Sequence, residues 1–225
     1  MTRNDSEGGL VLAPWRVYAP QRDTELLTQA LDREFVPAGA AVLDLGTGAG
    51  ALALAAARRG AHVTAVDRTY RAVLTTRLNA RLAQLPVEVL HGDLFGPVVG
   101  RRFDLVVSNP PYVPTPGAVP SRHRAAVAWD AGADGRLLLD RICRRAHTSL
   151  RPGGVLLLVH STLCGIAPTL AALERSGLDA LVSDRCLVPF GPVLRSRGAW
   201  LRERGLVDAD EEKEELVIIR AERTH

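Results

Sequence analysis

The chain has 225 residues, 47% of them apolar and 24% charged, and a formal net charge of +3. That length suits one large α/β domain with a core of its own, and no apolar run reaches the roughly 20 residues that a membrane-spanning helix needs. The positive charge is almost all arginine, Lys213 being the only lysine, without the concentrated basic stripe that marks a dedicated nucleic-acid binder.

The amino-terminal run MTRNDSEGG is polar and lacks the apolar stretch of a signal peptide. Residues 1–12 are expected to be frayed, ahead of a single domain spanning 1–225 in an intracellular, cytoplasmic protein. Short apolar runs then alternate with helical patterns. Ala40 to Gly46 reads as a strand, followed by a helix from about Gly50 to Arg59. His62 to Asp67 is a second strand, with a helix running on to about Gln84. Val87 to Asp93 and Phe103 to Asn109 are the third and fourth strands. A helix from about Gly135 to Leu150 carries Arg141, Arg144 and Arg145 on a solvated face and stops at RPGG, a turn signal. Val155 to Ser161 is a fifth strand, and another helix ends near Ser176-Gly177. Leu181 to Val188 and Leu216 to Arg220 are the last two strands, with the acidic run Asp208 to Glu215 as a solvated loop between them. Apolar strands separated by helices specify a doubly wound, mostly parallel seven-stranded α/β sheet with helices on both faces.

Cys143, Cys164 and Cys186 are odd in number and far apart, which reads as buried thiols rather than a disulfide framework. The six histidines lack zinc-ligand spacing, so no metal site is expected.

The first strand runs into Asp44-Leu45-Gly46-Thr47-Gly48-Ala49-Gly50. Alone, this loop also satisfies the loose dinucleotide pattern, and Asp67 ends the second strand where a ribose-binding acid would stand. Charge separates the two ligands. A pyrophosphate suits a helix N-terminus, but Asp44 beside the turn would oppose it. S-adenosylmethionine carries no phosphate, and its ammonium and sulfonium groups are cationic. Asp67 can then accept both ribose hydroxyls, Asp93 the adenine amino group, and Leu94 can offer a backbone amide and an apolar wall. Acids at the C-terminal ends of three successive strands stand where a doubly wound sheet binds its ligand.

The fourth strand ends in Ser108-Asn109-Pro110-Pro111-Tyr112 at the same edge. A planar amide or aromatic amine is a poor nucleophile because its lone pair is delocalised. The Asn109 oxygen and the Pro110 carbonyl can grip its two N–H groups. Pro110 and Pro111 hold that carbonyl rigidly, and Tyr112 can cover the face of the acceptor and exclude water. Positioning of this kind supplies effective molarities on the order of 10⁵–10⁸ M without a metal.

These motifs, in this order, resemble class I S-adenosylmethionine-dependent methyltransferases of the amino/amide-N type. VYAPQRDTELLTQAL (Val17 to Leu31), NPPYVPTP and AWDAGADGR (Ala128 to Arg136) are similar to the HemK-type N5-glutamine methyltransferases, in particular their short single-domain branch. The resemblance covers Val17 to Arg220. It implies methylation of the glutamine in the GGQ loop of a translation release factor. It places cofactor contacts on Thr24, Asp44, Gly46, Asp67, Asp93 and Leu94, with Thr47, Gly48, Gly50 and Asn109 completing the cofactor set, and the acceptor motif on Asn109, Pro110, Pro111 and Tyr112. It implies a small zinc-binding activator subunit as a partner of that branch, and leaves no room for the amino-terminal substrate domain of the two-domain relatives. Arg22 departs from the family pattern. Trp129 and Arg136 read as packing and loop-anchoring residues, and the loop Thr115 to Val127, with Arg122, His123 and Arg124, as a cover for the acceptor. The segment Pro189 to Glu215 is long for its place and reads as a substrate or partner element. The alternatives are N-methylation of a nucleic-acid base or a metabolite, a non-catalytic binding module, and a nicotinamide oxidoreductase.

Overall fold

The computed structural model describes residues 2–4, 10–14, 17–116 and 131–224. A seven-stranded sheet forms the centre. Its strands are β3 (Ala41–Leu45), β4 (His62–Asp67), β5 (Val87–His91), β6 (Phe103–Ser108), β7 (Leu150–Ser161), β8 (Asp179–Pro189) and β9 (Lys213–Glu222), in the order β5-β4-β3-β6-β7-β9-β8. β5, β4, β3, β6 and β7 run parallel, and β9 is antiparallel to both β7 and β8. Consecutive buried residues in Val42–Leu45 and Val155–Ser161 require cover on both faces. The cover comes from α1 (Arg22–Arg33), α2 (Ala51–Arg58), α3 (Tyr70–Leu82), α4 (Leu137–Ser149) and α5 (Ile166–Arg175), with α1 packed on α2 and α4 on α5.

The chain reverses its direction across the sheet between β3 and β6. Ser108 Oγ donates to the Leu45 carbonyl at 2.9 Å across that step, and Leu45 pairs with Ser108. The loops that follow these two strands therefore begin side by side at the C-terminal edge, the place where such sheets bind ligands.

Four expectations need correction. Within the stretch expected to be frayed, β1 (Thr2–Asn4) and β2 (Leu10–Leu12) pair antiparallel. Val11 is fully buried, and Asn79 of α3 bonds both the amide and the carbonyl of Leu12, at 3.1 and 2.9 Å. The RPGG run is not a turn outside the sheet. Arg151 to Gly154 are a bulge within β7, where the register against β6 shifts between Phe103 and Leu105. Cys186 is only half-buried on β8, whereas Cys143 and Cys164 are buried.

The fourth concerns the long connection before the last strand. It contains a helix, α6 (Pro192–Glu203), entered through Pro192. The acidic run is loop only as far as Glu212, because Lys213, Glu214 and Glu215 already belong to β9. Glu214 is 8% exposed, and its Oε2 has no hydrogen-bond partner. Burial pushes its carboxyl up from 4.5 to about 7, with Asp23 adding to the rise and a hydrogen bond from Ser161 opposing it.

A carboxyl raised in the folded state holds its proton longer there than in the unfolded chain. Its contribution is therefore full below about 4.5 and is lost as the pH climbs to 7. Glu214→Gln is expected to melt like the wild type at pH 5 and to be more stable at pH 8, by up to roughly 3 kcal/mol. Thermal unfolding at the two pH values measures the difference.

Candidate active site

A cleft, partly open to solvent, lies over the C-terminal edge of β4, β3 and β6. Gly46, Gly48, Asp67, Asp93, Leu94 and Asn109 to Tyr112 all line it. Thr24 and Thr47 line a smaller recess that shares Tyr18, Gly46 and Asn109 with the cleft.

The glycine loop forms because its backbone needs left-handed angles. Gly46 has φ +74°, and a Cβ added there would meet no atom within 4 Å, so its missing side chain leaves space for a ligand. Gly48 lies against Tyr18, and Gly50 against Thr76 of α3.

Asp44 and Gly50 stand outside the lining of both recesses. The Asp44 side chain is fully buried. Its Oδ2 accepts from Thr47 Oγ1 at 2.6 Å and from the Ala53 amide at 3.1 Å, which ties the strand to the first turn of α2. Its Oδ1 has no partner, and burial pushes the carboxyl up to about 7, with Asp67 contributing to the rise. Asp44 thus braces the loop from behind, with one oxygen left unsatisfied.

Asp67 faces the cleft. It accepts from the Gly48 amide at 3.1 Å and from the amide and hydroxyl of Thr69 at 2.8 and 2.9 Å. An ionised carboxylate offers about four acceptor positions, so capacity remains for a ligand hydroxyl. Asp93 is exposed and bound by both terminal nitrogens of Arg141, which is therefore not merely part of a solvated helix face. Leu94 is held at φ +47°, an angle that bulky residues avoid; strain of this kind collects at ligand sites.

At the other end of the cleft, Asn109 Nδ2 donates to Thr24 Oγ1 at 3.3 Å, which fixes the plane of the amide. Tyr112 is 8% exposed, and its hydroxyl donates to Asp23 Oδ2 at 3.1 Å. The carbonyls beyond it are held from outside the motif. Cys164 Sγ donates to the Tyr112 carbonyl at 3.0 Å. Arg197 of α6 donates to the carbonyls of Val113 and Pro114, at 3.3 and 2.9 Å. Arg136 anchors the start of α5 by donating to the carbonyls of Cys164 and Gly165 and to Thr169 Oγ1. Trp129, Arg122, His123 and Arg124 lie outside the described residues.

Sequence reasoning overlooked Tyr18, Asp23, Cys164 and Arg197. Tyr18 and Asp23 sit within the quoted VYAPQRDT run, so adjacency to Thr24 was an available signal. Nothing local marks Cys164 or Arg197, because the tertiary fold alone brings them to the loop.

The lining suits a cation better than a phosphate. Asp23, Asp67 and Asp93 line the cleft against Arg68, with Asp93 paired to Arg141, and Asp44 lies buried with an unsatisfied oxygen. The open space at Gly46 leaves room for a ligand to approach the backbone. Among the described residues, no His/Cys/Asp/Glu cluster has the arrangement of a metal site, and no helix is long and apolar enough to cross a membrane.

Comparison with known proteins gives a consistent result. Residues 19–125 match the family model described as the methyltransferase small domain. A Methanocaldococcus jannaschii protein bearing the name of a protein N5-glutamine methyltransferase is 34% identical over 175 residues, covering 77% of this chain and 87% of its own length. The release factor glutamine methyltransferase of Deinococcus radiodurans is 41% identical, over 84% of this chain and 67% of its length. That of Salmonella typhimurium is 42% identical, over 74% of this chain and 62% of its length. Among solved structures, the E. cuniculi Mtq2–Trm112 complex, described as methylating the eRF1 translation termination factor, superposes with TM-score 0.64 at 24% identity. The match covers 92% of this chain and 99% of that one. The T. thermophilus 16S rRNA N2 G1207 methyltransferase, solved with AdoMet and guanosine, gives TM-score 0.64 at 24% identity over 99% of this chain and 50% of its own. At these identities the solved structures establish the shared fold.

A Cβ at Gly135 would lie 2.3 Å from the Tyr112 carbonyl oxygen and 2.7 Å from Cys164 Sγ, at a φ of +74°. Gly135→Ala is therefore expected to lower stability by roughly 1–3 kcal/mol and to displace the Tyr112 carbonyl. Thermal unfolding measures the first effect, and hydrogen exchange at Val113 the second.

Proposed function

The chain belongs to the family of HemK-type protein N5-glutamine methyltransferases, and from that premise we propose that it methylates the side-chain amide of a glutamine in a protein of the translation-termination class. The family uses S-adenosylmethionine, which when bound supplies an electrophilic methyl group on a sulfonium. Gly46 and Gly48 would give it room along the backbone, Asp67 would accept from its ribose, and Asp93 and Leu94 would border its base. The negative lining raises the local concentration of a cation.

The observation that carries the reading is the Asn109-Pro110-Pro111-Tyr112 wall. It lies in the same cleft as the glycine loop and Asp67, and is pinned by Thr24, Asp23, Cys164 and Arg197. An acceptor amide would donate one N–H to Asn109 Oδ1 and the other to the Pro110 carbonyl. The Asn109 amide is held by Thr24 before binding and the proline rings restrict the Pro110 backbone, so little entropy would be spent in orienting the nitrogen. Burial and the nearby Asp23 raise the Tyr112 phenol well above its ordinary value, so it stays protonated and remains a donor.

One surface feature supports a small protein partner. Tyr70, Leu74, Leu78 and Leu82 recur every fourth residue along α3, each between 47% and 68% exposed. They form an apolar stripe beside β5, whose outer edge pairs with no strand among the described residues. Such a stripe with an open strand edge is the form of a docking face. An activator subunit like the one in the Mtq2–Trm112 assembly fits it. Leu74→Asp with Leu78→Asp is expected to abolish co-purification of such a subunit while leaving the melting temperature within a few degrees of wild type.

The test of the function is transfer of labelled methyl from S-adenosylmethionine to a release factor carrying a GGQ loop, with mass spectrometry locating the modified atom. N5-methylglutamine is the expected product. Label on a nucleic-acid base or a metabolite instead would overturn the reading. Asn109→Ala should lower kcat by about 10²–10³-fold.

A further inference from the structure

Asp23 stands in the first turn of α1 and is 6% exposed, yet it lines the cleft together with Tyr18, Asn109 and Tyr112. Its carboxylate gathers more donors than any other acid lining the cleft. The Tyr18 hydroxyl donates to Oδ1 at 2.5 Å and also reaches Oδ2. Tyr112 Oη donates to Oδ2 at 3.1 Å. The Thr24 amide donates to Oδ1 at 2.6 Å, and the Thr24 hydroxyl lies 3.3 Å from the same oxygen. Thr24 in turn receives the Asn109 amide. One carboxylate thus holds both ends of the acceptor motif, Asn109 through Thr24 and Tyr112 directly. Its place at the amino end of a helix favours the negative charge. Glu214 also acts on this cluster by helping to raise the Tyr112 phenol, and burial pushes its own carboxyl up to about 7.

We propose that Asp23 is a positioning residue of the methyl transfer, pinning the Tyr18 and Tyr112 phenols around Asn109 and holding a fixed negative charge at the acceptor end of the cleft. The inference rests on the function proposed above. During transfer the nitrogen lone pair forms the new N–C bond while the S–C bond breaks with its electron pair on sulfur. Positive charge therefore passes from sulfur to nitrogen, and is then lost as one N–H proton leaves to solvent. An anion fixed beside Asn109 stabilises the charge where it arrives. A group already in place for the transition state costs no reorganisation, and this is where electrostatic catalysis is strongest. The two phenols stay protonated because burial, reinforced by Asp23, lifts them well above their ordinary values. They serve as fixed donors that keep the carboxylate from swinging toward solvent.

The experiment compares wild type, Asp23→Asn, Asp23→Glu and Tyr18→Phe. Calorimetry gives the affinities for S-adenosylmethionine and for the uncharged S-adenosylhomocysteine, and steady-state methyl transfer gives kcat and KM. Asp23→Asn is expected to lower kcat by about 100-fold, to change both affinities by less than about 3-fold, and to leave KM for the protein substrate near wild type. Asp23→Glu should recover part of the rate. Tyr18→Phe, which keeps the carboxylate and removes one of its donors, should lose about 10-fold and carries the test if Asp23→Asn does not fold. Wild-type kcat in Asp23→Asn or in Tyr18→Phe overturns the proposal. So does a 10-fold loss of S-adenosylmethionine affinity with S-adenosylhomocysteine affinity intact, which would place the charge at the donor sulfur instead. A wild-type protein that binds neither nucleoside would overturn the proposed function itself, and this inference with it.

Discussion

The parallel ladder between β3 and β6 is the constraint on which the site depends. Leu45 and Ser108 stand opposite each other, tied by the Ser108 hydroxyl, at the point where the strand order reverses. Each strand then hands over to a loop that cannot continue it: glycines at left-handed angles after β3, and consecutive prolines after β6. The two loops are forced apart just above a shared pair of strand ends, and a cleft opens between them. The cleft and its Asn109-to-Tyr112 wall arise at the same place because one step in the sheet positions both. Neither loop needs to recognise the other.

The electrostatic character of the site follows from the same geometry. Several carboxylates gather at this edge of the sheet, Asp67 and Asp93 lining the cleft and Asp44 turned inward. Asp44 and Glu214 are buried deeply enough that each has one unsatisfied oxygen and a carboxyl pushed up to about 7. Buried acids without full hydrogen bonding cost stability, so the fold tolerates a local penalty around this edge. Such penalties concentrate where binding or chemistry needs them. The Leu94 backbone, held in the left-handed region beside the cleft, belongs to the same pattern. The wide apolar core beneath, from Leu27 and Leu31 through Leu43 to Ile218 and Ile219, can bear the cost.

Much of this was legible in the sequence, and the residues explain why. Strands such as HVTAVD and FDLVVS are short apolar runs bounded by turn chemistry, so their existence and order could be read directly. Asp67 and Asn109 stand where such runs end and Tyr112 follows the second of them, so their place at one edge could be read, and all three line the cleft. The inward turn of Asp44 was not legible because strand-end position says nothing about which way a carboxylate turns; Thr47 and the Ala53 amide draw it inward. α6 was missed because Pro192, Gly198 and a scatter of arginines weaken its helical pattern, and tertiary contacts settle it. The partners of Asp93, Tyr112 and Val113 were illegible for a plainer reason. Arg141, Asp23 and Arg197 lie far along the chain from them, and side-chain pairing over such distances leaves no local trace.

Arg197 has a consequence for how the protein comes into being. The segment from Tyr112 to Pro114 is steadied by Asp23 from one side of it in sequence and by Arg197 from the other. β9 inserts between β7 and β8. The segment is therefore held by partners drawn from widely separated parts of the chain, and it takes its shape only when the whole sheet has assembled.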